Sequence, residues 1–209
     1  MSRQNQTKKQ AYHHGDLKRA LLDETARILR EEGEDALSLR RLATNLGVSR
    51  TAPYNHFSNK ESLLCAVAEE GFKRFNETMK VVRARNRDRG GYRATLASVK
   101  AYVKFASDHR EYYDLMFGSK SWRSGNLTAS LKGVARRTLR ADVERLERWQ
   151  GRGDVKAGLD ALRFAQVYWG TLHGISRLLL DGVYTDAVSV NRVCEEAADM
   201  LWEKLKPES

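Results

Sequence analysis

Proline is almost missing from this chain: two residues, Pro53 and Pro207, among 209. Helices are therefore seldom broken, and the alternation of Val, Ile and Thr that marks strands is nearly absent as well. The fold class is read as all-α. Cysteine is equally sparse. Cys65 and Cys194 stand far apart on apolar stretches and form no CxxC, which reads as two reduced, buried thiols rather than a redox pair. The first sixteen residues, MSRQNQTKKQAYHHGD, contain no apolar signal-peptide core. The most apolar stretch, 164–180, is short for a membrane span and carries Gln166, His173 and Arg177. A cytoplasmic protein with no membrane partner is expected. Phosphate-cradling glycine loops and Ser–His or Cys–His elbows are also missing, and the adjacent His13 and His14 cannot share a helix face. No enzyme activity, catalytic residue, metal or cofactor is expected.

Positive charge is plentiful. Lys and Arg outnumber Asp and Glu by 37 to 27, a net charge of +10. That balance favours polyanions, nucleic acid first and an acidic membrane surface second. Solvated basic faces alone would give the same count. Hydrophobic residues make up 41% of the chain, enough for a core without disulfides or metal.

Residues 1–15 read as a flexible basic arm, 16–60 as a small helical head and 61–209 as a larger helical body. In the head, Leu17, Leu21, Thr25, Ile28 and Leu29 fall on one helical face, and Gly33 stops that helix. A helix over 39–46 turns Leu39, Leu42, Ala43 and Leu46 inward, with Ser38 as its cap. Gly47-Val48-Ser49 makes a turn, and a second short helix runs over about 50–57. Ser58 and Glu61 read as a capping box that opens a longer helix through Leu63, Leu64, Val67, Phe72 and Phe75, fading over 81–91. Further helices are expected near 91–108, 110–118, 127–150, 155–181 and 187–205.

The segment 38–57 carries the functional signal. Two short helices joined by a Gly-containing turn make a helix-turn-helix. Gly47 suits a left-handed residue, Val48 plugs the space between the helices, Ser49 caps the second, and Leu42 and Phe57 are core. Proline is tolerated only in a first helical turn, so Pro53 fixes the start of the second helix and sets Arg50, Thr51 and Ala52 at its tip. The amides and positive dipole of that tip then point outward. Arg50 suits guanine, and the methyls of Thr51 and Ala52 suit thymine. Asn55 suits adenine or a phosphate, while Ser38, Tyr54, His56 and Lys60 suit phosphates, with Ser49 beside them at the duplex. Arg40 and Arg41 fit a phosphate contact or a solvated face equally well. The partner implied is double-stranded DNA.

Three stretches, Tyr12-His13-His14-Gly15-Asp16-Leu17, Gly47-Val48-Ser49 and Thr51 through Glu61, resemble the DNA-binding head of TetR-type regulators. The resemblance covers about 12–72. It implies a three-helix head held by a fourth helix, an all-α effector and dimerisation body, and two-fold operators. For most members it also implies repression released by a small ligand. The family's recognition and phosphate-contact positions fall on Arg50, Thr51, Ala52, Tyr54, Asn55, His56 and Lys60. Tyr168 through Gly174 is similar to the Trp-His-Gly signature of one TetR subfamily's C-terminal domain, and Asp108 through Gly118 resembles the same subfamily.

In the body, 164–180 is apolar almost all round, which implies burial on several sides. Gly170 and Gly174 lie one turn apart and permit close approach of another backbone. With the stripe on the last helix, Leu172, Ile175, Leu179, Val193, Ala197, Met200 and Leu201 are the expected homodimer interface, half of a four-helix arrangement. An ordinary monomer core would use the same residues. A two-fold operator favours the dimer. His173 reads as a hydrogen-bonded core or interface residue, with an effector contact open. Tyr102, Phe105, Tyr113, Phe117, Trp122, Trp169 and His173 are the expected pocket for a small, mostly apolar effector, though such residues also fill cores. The alternative function is a basic helical module that binds DNA or anionic partners without a small-molecule effector, using the runs 80–93 and 132–152.

Overall fold

The computed structural model describes residues 14–86, 91–118, 127–184 and 186–207. Nearly all of the expected basic arm, and Trp122 of the expected pocket, lie outside the described residues. Within them the regular structure is helical, with α-helices and two 3₁₀ turns. The chain divides into two compact units, Met1–Leu63 and Leu64–Ser209.

The head begins with α1, His14–Glu31. Its stripe is buried at Leu17, Leu21, Thr25 and Ile28, and the Thr25 hydroxyl donates to the Leu21 carbonyl at 2.6 Å. Leu29, expected on the same face, is only half-buried. Past α1 the chain turns at Gly33, φ 83°. Next comes α2, Leu39–Asn45, where the Ser38 hydroxyl accepts from the Arg41 amide at 3.1 Å. Leu39, Leu42 and Ala43 are buried, while Leu46 becomes the half-buried cap residue. Burying a side chain such as Leu42 is worth about 1.5–3 kcal/mol.

The end of α2 is closed by Gly47 at φ 66°. The Gly47 amide donates to the Thr44 carbonyl and the Val48 amide to the Ala43 carbonyl, the double bond of a Schellman cap. A side chain at that φ would strain the backbone.

The second short helix differs from its expectation. It is a single 3₁₀ turn, Ala52–Asn55, rather than two α-helical turns. Pro53 explains it. Lacking an amide hydrogen, Pro53 cannot take the Ser49 carbonyl in an α-helical bond, so that carbonyl accepts from the Ala52 amide instead, at 3.0 Å. The expected Ser49 cap is likewise not formed. Its hydroxyl meets that of Thr51 at 3.2 Å, and Thr51 stands at the cap position with no side-chain capping bond.

Helix α3, Lys60–Arg85, starts in the head and continues into the body. Its capping box lies one residue beyond the expected Ser58–Glu61 pair. Asn59 Oδ1 accepts from the Ser62 amide at 2.8 Å, and the Ser62 hydroxyl accepts from the Asn59 amide at 3.2 Å. Because Lys60 is the first helical residue, Asn59 is the cap, and Asn ranks with Ser there.

The body adds α4, Gly91–Asp108; α5, Arg110–Phe117; α6, Ala129–Gly151; α7, Ala161–Leu180; and α8, Ala187–Leu205. Helix α4 packs against α5, α7 and α8, and α6 packs on α7. Thr128, Asp160 and Asp186 cap α6, α7 and α8 with their side chains. The expected helix over 155–181 begins six residues late. Gly153 and Gly158 take positive φ, and Asp160 caps the helix by accepting from the Arg163 amide at 3.0 Å.

The stretch 164–180 meets the chain's own core on one side, at Phe164, Tyr168, Leu172 and Ile175, and leaves Val167, 62% exposed, and Leu178 open on the other. Leu172, Ile175, Ala197 and Leu201, expected at a dimer interface, are buried in the chain's own core. Leu172 has no surface to offer a partner, whereas Ala197 and Leu201 still line the open groove beside Met200. Leu179 and Val193 are half-buried, and Met200 is 73% exposed.

Candidate nucleic-acid interface

The head is tied together by polar contacts that leave its 3₁₀ turn outermost. Glu24 accepts from Arg27 at 2.8 Å and from the Asn45 amide group at 2.6 Å, joining α1 to the end of α2. The Arg27 hydrogen bond holds the Glu24 carboxyl below its usual pKa, against burial. Arg41 Nη2 donates to both carboxylate oxygens of Glu32 at 2.7 Å, and its Nη1 donates to the Ala36 carbonyl. Of the paired candidates Arg40 and Arg41, then, Arg41 is committed to the scaffold and Arg40 is exposed.

On this frame Ser38, Ser49, Arg50, Thr51, Tyr54 and Asn55 are exposed, Tyr54 by 55%. Ala52, His56 and Lys60 are half-buried, and Pro53 and Phe57 are buried beneath them. The expected contacts thus fall along one short, mostly exposed run, anchored from below by Pro53 and Phe57. A four-residue turn sums few peptide dipoles, so the strong axial field expected of its tip does not hold. That leaves the side chains as its main donors and acceptors. Ser38 accepts as a cap and still has its hydroxyl proton to donate. Lys60 commits one of its three donors to the Glu34 carbonyl at 2.6 Å.

In the body, the described residues expected at a pocket pack against one another, with Tyr102, Phe105 and Tyr113 buried. Tyr113 lies against Tyr102, Phe117 and His173, with ring centroids 5.0–6.2 Å apart, and Phe117 meets Trp169 edge-on at 5.9 Å. Phe105 joins through Phe75 at 5.3 Å. The Tyr113 hydroxyl is hydrogen-bonded to His173 Nδ1 at 2.8 Å. Burial, with Arg177 nearby, lowers the His173 pKa. Cys65 and Cys194 are both buried, and burial raises the Cys194 thiol.

The sequence reading missed a charged cluster in the body. Asp142 on α6 is 3% exposed. Its Oδ1 accepts from Arg83 at 2.8 Å and Arg145 at 2.6 Å, and its Oδ2 accepts from Trp169 Nε1 at 2.8 Å. Burial pushes the carboxyl up, but Arg145 and Arg83 outweigh it and hold the pKa below the ordinary value. The available signal was Asp142's position: it continues the inward stripe of Leu131, Val134 and Thr138 at helical spacing.

An all-helical chain with a helix-turn-helix head and a larger body has the build of a DNA-binding transcriptional regulator. Residues 21–67 match the bacterial regulatory proteins of the tetR family, and 95–201 match the tetracyclin repressor-like C-terminal domain. The chain belongs to the tetR family. An uncharacterized HTH-type transcriptional regulator of Mycobacterium tuberculosis is 26% identical over 136 residues, 64% of this chain and 56% of its own length. Tetracycline repressor protein class A of Escherichia coli is 51% identical over 51 residues, 24% of this chain and 22% of its own. The chain therefore spans little more than half of the first of these relatives and under a quarter of the second. A solved protein of unknown function from Rhodococcus sp. RHA1 superposes with a TM-score of 0.81 at 35% identity, covering 94% of this chain and 99% of that one.

Proposed function

We propose that this protein is a repressor that binds a two-fold operator as a homodimer and is released by a small effector held in the body. The observation that carries the DNA reading is the exposed run Arg50, Thr51, Tyr54 and Asn55, fixed over buried Pro53 and Phe57. Arg50 reads a base, with Thr51, Ala52 and Asn55 beside it, while Ser38, Ser49, Tyr54, His56 and Lys60 position the backbone.

The second copy is supported by what this chain leaves open. Val167, Gly170, Gly174 and Leu178 share one face of α7, and a Cβ added at either glycine would meet nothing within 4 Å. Beside that face, Val167 and Met200 line an apolar groove of about 580 Å³ between α7 and α8. A smooth glycine face flanked by exposed apolar residues suits a partner helix at close approach. The interface is accordingly assigned to Val167, Leu178 and Met200, with Leu179 and Val193 at its edge.

Among the described residues no helix is long and apolar enough to cross a membrane. The test is selection of bound sites from a random duplex library with the full chain, followed by gel shifts. Recovery of a palindromic site bound by two copies is expected. Equal retention of all sequences would overturn the reading.

A further inference from the structure

The residues expected to enclose an effector pack against one another, with Tyr102 and Tyr113 almost wholly buried. Open volume lies in the groove of about 580 Å³ between α7 and α8, a size that suits a small molecule. Buried Phe164, Ala197 and Leu201 form its floor, and the exposed Val167 and Met200 are its walls. Its two ends differ. The Lys156 amide donates to the Leu205 carbonyl at 2.8 Å, which brings the loop before α7 to the end of α8. Arg163 in the first turn of α7 and Lys204 in the last turn of α8 therefore share one end of the groove, with Thr171 and Ala197 toward the other. Both cations are exposed, and among the described residues neither is paired with a carboxylate. Asp160 lines the same end, where its carboxylate accepts from the Arg163 amide as the cap of α7. Even with Lys156 set aside, the cations outnumber it. A cation in a first helical turn also opposes the helix dipole, a local cost that a bound anion offsets.

We propose that this groove holds an amphipathic anion, its acidic head at Arg163 and Lys204 and its apolar chain along Phe164, Val167 and Leu201. The charge at one end sets the sign of the head, and the apolar remainder sets the character of the tail. Arg163 and Thr171 stand about 12 Å apart along α7, which suits an unbranched chain of about ten carbons. The partner face proposed above centres on Gly170, Gly174 and Leu178 in the second half of α7, whereas the groove follows the first half and shares Val167 and Met200 with it. The site deepens the effector reading above and rests on it only for the link to operator release.

The experiment is calorimetric titration of the full chain, as assembled in solution, with decanoate below its micellar concentration, and with decanol and acetate as comparisons. Saturable binding of one decanoate per chain is expected, with decanol weaker for want of charge and acetate for want of a chain. The double variant Arg163→Gln, Lys204→Gln, checked for cooperative melting, should bind decanoate about ten-fold more weakly, the worth of two exposed ion pairs, and decanol as before. Equal binding of decanol and decanoate, or unchanged decanoate affinity in the folded double variant, overturns the proposal. So does the absence of saturable binding, the result expected if a second copy fills the groove. If the double variant fails to fold, each single variant is read in its place. Operator release is measured separately. Decanoate binding without release keeps the site and removes its effector role. Release by other small molecules without decanoate binding removes the site and keeps the effector reading.

Discussion

Position 142 shows how much one buried side chain can hold. Replacing Asp142 with Ala leaves two guanidinium groups and an indole without their acceptor, and should cost about 3–5 kcal/mol in urea unfolding. The pH dependence has a definite sign. Because the folded carboxyl titrates below the unfolded one, near 3.9, its contribution is complete above that value and is lost as the pH falls through the folded pKa. His173 acts in a milder range. Its folded pKa is also lowered, so the unfolded chain takes up the proton first, and stability declines as the pH drops below about 6.5. Melting from pH 7.5 to 5.5 should therefore fall further for the wild type than for His173→Gln. At the head, Arg50→Ala should weaken binding to the selected operator by about 1–3 kcal/mol and relax one base position. Arg50 and Tyr54 were legible from sequence because a local pattern places them. Asp142 was not, since its partners Arg83 and Trp169 lie 59 and 27 residues away.

Among the elements, helix ends separate what the sequence defines from what geometry decides. Ser58, Asn59 and Ser62 are all able caps, and only the start of α3 at Lys60 selects Asn59. Asn59→Ala should cost about 1 kcal/mol and Ser58→Ala less than about 0.5 kcal/mol, a contrast that thermal unfolding resolves. Gly47 was read correctly as left-handed because a Gly-containing turn between two short helices demands it. Gly47→Ala meets no neighbouring atom within 4 Å, so its expected cost of about 1–2 kcal/mol is backbone strain alone. The 3₁₀ turn escaped because Pro53 marks where a helix can start and says little about how tightly it then winds.

At the scale of the whole molecule, the all-α class followed from missing prolines and strand patterns, whereas surface could not be told from core within one apolar helix. Leu172 and Val167 look alike in sequence, yet one is buried and the other is 62% exposed. If the open face of α7 and α8 binds a second copy, Met200→Asp should yield a monomer in sedimentation with its helical content intact. Operator binding should then weaken sharply, because one head must act alone. The charged cluster in the body also bears on how this chain can change over time. Loss of Asp142 alone strands two cations, and loss of either arginine alters what the other faces. Simultaneous replacement of all three by apolar residues of similar volume can be neutral or even stabilising. The path between those two viable states runs through variants less stable than either. Lineages descending from this chain should therefore keep Arg83, Asp142 and Arg145 together or lose them together.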